Sequence, residues 1–112
     1  MKITIDKNDY ELNFGIGFLR ELDKVAGMES NGVSMGMGLI KTIPAFEAFD
    51  PLALFNIIYC GTAGSTPRPS LELVEDYFDT LKDSDIEKLF TEAGTELKKS
   101  PMVRFTINRL NK

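Results

Sequence analysis

The sequence predicts an α+β fold: an N-terminal β-hairpin followed by about five α-helices packed as a compact, mostly helical domain. Three observations predict it. The first fourteen residues alternate apolar and polar side chains around a polar turn, which is the period of a half-buried strand pair. After Ile16 the apolar spacing changes to three and four residues, the period of a helix with one buried face. Asp50-Pro51 and Ser70 each stand immediately before an apolar run, where helix N-caps belong.

Taken in order, Lys2-Ile3-Thr4-Ile5 and Tyr10-Glu11-Leu12-Asn13-Phe14 flank the turn Asp6-Lys7-Asn8-Asp9. The hairpin so formed, over 2–14, places Ile3, Ile5, Tyr10, Leu12 and Phe14 on one face. A lone hairpin is marginal, so this face requires a helix laid over it. A helix over 16–26 supplies one, with Phe18, Leu22 and Val25 as its stripe, Leu19 and Ala26 beside it, and Gly27 as its stop. The run MESNGVSMGMG then breaks periodicity with three glycines and an Asn31-Gly32 turn pair.

Apolar spacing resumes in a helix over 39–49. Pro44 falls either in its first turn, capped by Thr42, or inside a longer helix that it kinks. The next helix, over 51–63, is apolar nearly all round and belongs at the centre of the core. Thr66-Pro67-Arg68-Pro69 stiffens the following loop. Ser70 caps a helix over 71–81, and Ser84 with Glu87 has the spacing of a capping box for a helix over 85–99. Residues 101–110 permit a short helix carrying Met102, Phe105 and Leu110, or a strand through Val103-Arg104-Phe105-Thr106-Ile107; the helix is favoured. A length of 112 residues without an internal linker points to a single domain, 1–112.

Composition narrows the chemistry. The chain has no histidine and one cysteine, which removes Ser-His and Cys-His nucleophiles, imidazole metal sites and thiolate zinc sites. Cys60 lies in the apolar run ALFNIIYC and reads as a buried thiol. The acidic stretch Asp79, Asp83, Asp85, Glu87 suggests a calcium loop. Counted from Asp83, however, the required sixth-position Gly is Lys88 and the twelfth-position Glu is Gly94. These acids read as the dressing of a helix start. Catalytic, cofactor-binding and metal-binding residues are therefore expected to be none, and the protein is expected not to be an enzyme.

The formal net charge is −4, distributed unevenly: residues 100–112 hold Arg104, Arg109 and Lys112 and no acid. Three charges at a helix end make no phosphate-binding groove, so nucleic acid is not an expected partner. The apolar runs fall short of the roughly 20 residues a membrane span needs. Gly15-Ile16-Gly17 at the strand-to-helix joint suggests a dinucleotide cradle, yet the third glycine position is Arg20 and the strand belongs to a hairpin rather than a βαβ unit. This joint reads as a hinge whose glycines permit backbone angles and close packing that a Cβ would obstruct, so alanine at both is expected to cost stability. Eight Phe and five Met remain as an apolar surplus, with Met28, Met35 and Met37 clustered in the glycine-rich break.

FGIGFLRELDK, NGVSMGMGL, DPLALFNIIYCGTAG, PRPS and DIEKLF...ELKKSP, in that order and spacing, resemble the small tail assembly chaperones of long-tailed phages and prophages of Gram-positive bacteria. The resemblance extends from the hairpin to about Ser100. It implies a non-catalytic protein of the host bacterial cytoplasm, absent from the finished virion. Such a protein binds the tape measure protein and keeps it soluble during tail morphogenesis. It further implies recruitment of tail tube protein through a frameshifted longer form, and self-association along the target. Within that implied role, Met35, Met37, Ile40 and Phe46 are the expected protein-binding residues, because neighbouring glycines let a groove open around them. The alternative is a small cytoplasmic adaptor or regulatory module using the same apolar surface. A small hydrolase ranks third, and would require a pocket with convergent polar groups.

Overall fold

In the computed structural model the backbone is described for residues 1–30 and 33–111, and the side chains for 1–27 and 37–111. Strands β1 (Lys2–Ile5) and β2 (Asn8–Glu11) pair antiparallel with Ile3 opposite Tyr10. Asp6 and Lys7 between them both have positive φ, 51° and 67°, the backbone of a tight hairpin turn whose twist matches the strands. Ile3, Ile5, Tyr10, Leu12 and Phe14 are all buried, and the Asn13 amide donates to the Gly61 carbonyl at 2.9 Å. The hairpin is thereby tied to the middle of the chain.

Among the described residues six helices follow: α1 (Ile16–Ala26), α2 (Gly38–Glu47), α3 (Pro51–Gly61), α4 (Leu71–Asp79), α5 (Asp83–Lys99) and α6 (Pro101–Leu110). The α+β class read from the sequence is the one observed. Helix α3 is the hub, packing against α1, α2, α4 and α5. Its Leu54, Ile57 and Ile58 are fully buried, as its nearly all-apolar sequence requires. Asp50 caps it by accepting from the Leu52 amide at 3.0 Å, and Ser70 caps α4 by accepting from the Leu73 amide at 3.0 Å.

Several local readings are corrected. Residues Met28–Ser30 and Val33–Gly36 form a second antiparallel hairpin, β3 and β4, where the glycines suggested only a break. The Asn31-Gly32 pair between them, itself outside the described residues, is the strongest short-range hairpin signal in the sequence. Helix α2 begins at Gly38, so of the two placements the sequence left open for Pro44 the structure takes the one inside a longer helix, leaving the Ile40 carbonyl without its i+4 donor. The helix stops soon afterwards in a Schellman arrangement. Phe49 takes a left-handed φ of 64°, its amide bonds the Phe46 carbonyl, and the Asp50 amide bonds the Ala45 carbonyl.

Helix α5 starts two residues before the Ser84–Glu87 spacing suggested. Lys82 is its N-cap, and the Asp85 carboxylate accepts from the Lys82 amide at 3.1 Å. Val25, assigned to the buried stripe of α1, is instead exposed. At the Gly15–Gly17 joint no left-handed angle is used: Gly15 has an extended φ of −89°. A Cβ at Gly15 would lie 3.0 Å from Asn13 Oδ1, so packing is close there, but a Cβ at Gly17 would meet nothing within 4 Å. Close approaches occur at Gly38, where a Cβ would lie 2.7 Å from the Leu22 carbonyl oxygen, and at Gly61, where it would lie 2.9 Å from the Phe14 ring.

Candidate protein-binding surface

Helix α6 is one of the places where the apolar surplus reaches solvent. Its sequence PMVRFTINRL carries two apolar sets, and packing chooses between them. Val103 and Ile107 turn into the core against α5 and α2. Met102, Phe105 and Leu110, the apolar residues the sequence assigned to this helix, stand 57%, 66% and 38% exposed. The helix is fixed at its start by Ser100, whose hydroxyl donates to the Phe14 carbonyl at 2.7 Å instead of capping α6. That bond ties the start of α6 to the segment leading into α1, and Pro101 occupies the first helical position, where its missing amide costs nothing.

The consequence is an open groove of about 420 Å³ lined by Leu19, Leu39, Pro101, Met102, Phe105 and Thr106. Leu19 comes from α1, Leu39 from α2 and the rest from α6. Thr106 is the single polar side chain among them. A groove of this character binds apolar side chains and offers no set of converging polar groups for catalysis.

Of the residues singled out in the sequence, Met37 and Ile40 lie three apart at the start of α2, 44% and 45% exposed, and Leu39 between them lines the groove. Met37 is the α2 N-cap in a left-handed conformation, φ 71°. Phe46 is elsewhere: it is 8% exposed, with its ring centre 5.3 Å from that of Phe90, and it lines a separate depression with Phe49 and Gly94. Met35 lies in β4, and its side chain is outside the described residues. The structure thus brings Met37 and Ile40 together and sets Phe46 apart. Met102 and Phe105 were legible as apolar helix positions, but not as surface ones.

A second apolar groove, about 360 Å³, opens between α3 and α4. Pro51, Leu52, Phe55 and Phe78 form it, and the exposed carboxylates Glu75 and Asp79 line its edge.

Burial shifts two titratable groups away from their ordinary range. Cys60 is fully buried on α3, and burial pushes its thiol up to about 12, with the Glu21 carboxylate adding to the shift and Arg68 opposing it. A thiol in that state is no nucleophile near neutrality. Burial likewise raises Tyr77, helped by Asp85 and Glu92. Among the described residues no group of His, Cys, Asp or Glu could hold a metal ion.

The family model described as phage tail assembly chaperone protein, TAC, matches residues 2–112. The chain belongs to this family. No curated protein and no solved structure matches it. As a tail assembly chaperone it has protein partners in assembly, and the α1–α2–α6 groove is an apolar surface suited to one. Among the described residues no helix is long and apolar enough to cross a membrane.

Proposed function

We propose that this chaperone binds an apolar helical segment of the tape measure protein in the α1–α2–α6 groove and keeps that protein soluble until the tail tube forms around it. The observation that carries the proposal is the exposure of Met102 and Phe105 beside the groove they share with Leu19 and Leu39. Helix-in-groove recognition uses apolar side chains at three- and four-residue spacing as anchors, and this groove supplies apolar walls from three different helices. Met37 and Ile40 extend the apolar surface along α2. Met35 and Phe46 belong to the same proposal, Met35 through β4 and Phe46 through the neighbouring depression with Phe49. Thioethers and aromatic rings at such a surface refit to varied apolar partners.

The protein acts without catalysis, in the cytoplasm where tails assemble. Tail tube protein is recruited through a longer form of the chain extended beyond α6. The test is co-expression with the tape measure protein, followed by centrifugation and pull-down. Soluble tape measure protein is expected only with this chain present, and Met102→Asp with Phe105→Asp is expected to abolish the rescue while circular dichroism stays unchanged. Rescue by the doubly substituted chain would remove the groove from the mechanism.

A further inference from the structure

Strand β1 has one edge without a partner strand. The Leu12 amide donates to the Met1 carbonyl at 2.8 Å, and Ile3 and Ile5 stand opposite Tyr10 and Asn8 in the same register. Bonded and non-bonded pairs alternate along an antiparallel ladder, so Met1, Ile3 and Ile5 turn their main-chain groups toward β2. Lys2 and Thr4 turn theirs the other way. Among the described residues their amides and carbonyls have no backbone partner on that side, and the sheet has two strands. An open edge of this kind is a template for another extended chain.

The edge runs along a cleft of about 350 Å³, which takes Lys2, Ile3 and Thr4 from β1. Across it, Tyr77 from α4, Leu81 from the following turn and Leu89 from α5 present apolar surface, with Asp85 and Glu92 beside them. The helical side is strongly acidic. Residues 71–92 hold eight Asp or Glu against Lys82 and Lys88, and Lys88 is engaged with Glu92 at 3.8 Å.

We infer that this cleft binds an extended, basic segment of a partner protein, which adds to β1 as a third strand through the main chain of Lys2 and Thr4. Apolar side chains at every second position of that segment cover Tyr77, Leu81 and Leu89, and Lys or Arg at its ends meet the acidic helices. The strand is short, because β1 itself has four residues. A second copy of this chain is the wrong occupant: pairing β1 with β1 would bring two acidic α4–α5 walls together. The cleft shares no residue with the α1–α2–α6 groove, so an extended segment here and a helical one there bind independently.

The test follows amide hydrogen exchange of the full chain by NMR, with the end-blocked peptide Lys-Val-Thr-Val-Lys as probe at millimolar concentration. With peptide at about ten times its Kd, the Lys2 and Thr4 amides are expected to exchange about tenfold more slowly, since only the unbound fraction exchanges. Ile3 and Ile5, already bonded to β2, are expected to change little. N-methylation of the peptide at one set of alternate positions is expected to abolish the protection, and at the other set to spare it, because a strand turns every second amide toward its neighbour. Glutamate in place of both peptide lysines is expected to weaken binding by about tenfold or more, and added salt to weaken the basic peptide. Thr4→Pro removes an edge amide but no bond to β2, and is expected to lose the peptide. Thr4→Val, which gives up only the hydroxyl bond to Asp9, is expected to keep it. Unchanged exchange at Lys2 and Thr4, equal loss from both methylation patterns, or slowing that follows the chain's own concentration without peptide would each overturn the proposal.

Discussion

The guanidinium of Arg68 donates to the Glu21 carboxylate at 2.9 Å, joining the proline-flanked loop to α1 across 47 positions of sequence. The same side chain donates to the Thr62 hydroxyl at 3.1 Å and to the Tyr59 carbonyl at 3.3 Å, and lies 4.3 Å from the centre of the Tyr59 ring. Both charged groups are about three-quarters covered, with 27% and 24% of their side-chain surface exposed. Arg68→Ala leaves Glu21 and the Tyr59 carbonyl without this donor, and is expected to lower unfolding free energy by about 2 kcal/mol. Arg68→Lys recovers only part of that, because an ammonium cannot serve three acceptors set in a planar fork. Urea unfolding midpoints measure both.

Two glycines are expected to respond in opposite directions. Gly38→Ala drives a Cβ toward the backbone of α1, 2.7 Å from the Leu22 carbonyl oxygen and 2.8 Å from the Asp23 amide, and strains the Gly38 amide bond to the Asp23 carboxylate. A loss of about 1–3 kcal/mol is expected. Gly17→Ala meets open space in a helix, and is expected to add up to about 1 kcal/mol. Thermal denaturation of the two variants shows the sign of each.

Cys60 provides a pH signature. Its thiol is held protonated in the folded state up to about 12, against an ordinary value of 9.0. The folded chain therefore keeps a proton that the unfolded chain releases as pH rises through 9. The stability associated with this group is fully present below pH 9 and is lost progressively as pH climbs toward the folded value. Denaturation midpoints are expected to fall across that window, less so in Cys60→Ala once its own cavity cost is subtracted. Iodoacetamide at neutral pH is expected to label Cys60 only after denaturant is added.

Helix α6 offers a paired test of orientation. Val103 is fully buried, so Val103→Asp places an unpaired carboxylate in the core and is expected to prevent folding. Met102→Asp, one residue away on the exposed face, is expected to change stability by no more than about 0.5 kcal/mol. A larger loss in Met102→Asp than in Val103→Asp would show that α6 packs by its other face.

How much of this was legible in the sequence depends on how local the signal is. The β1–β2 hairpin, the Asp50-Pro51 start of α3 and the Ser70 cap of α4 are each written within a few residues, because a cap or a tight turn is decided by atoms two or three positions apart. The second hairpin carried its sign in Asn31-Gly32, outweighed by the glycines around it. The start of α5 was misplaced because Asp85 reaches back to the Lys82 amide, giving a cap as serviceable as the Ser84 spacing.

By itself, then, the sequence determined the fold class, the order of the helices and the central place of α3, all of which follow from short-range periodicity and end signals. Tertiary structure alone decided which face of α6 meets solvent, since Val103 with Ile107 and Met102 with Phe105 are both spaced to form a buried stripe. It also decided that a side chain has no room at Gly38, against the backbone of α1, but has open space at Gly17, and that Arg68 reaches Glu21. Each of these turns on where distant segments lie in space. Burial competes among all the apolar faces at once, and the faces left over become the surface a partner can use.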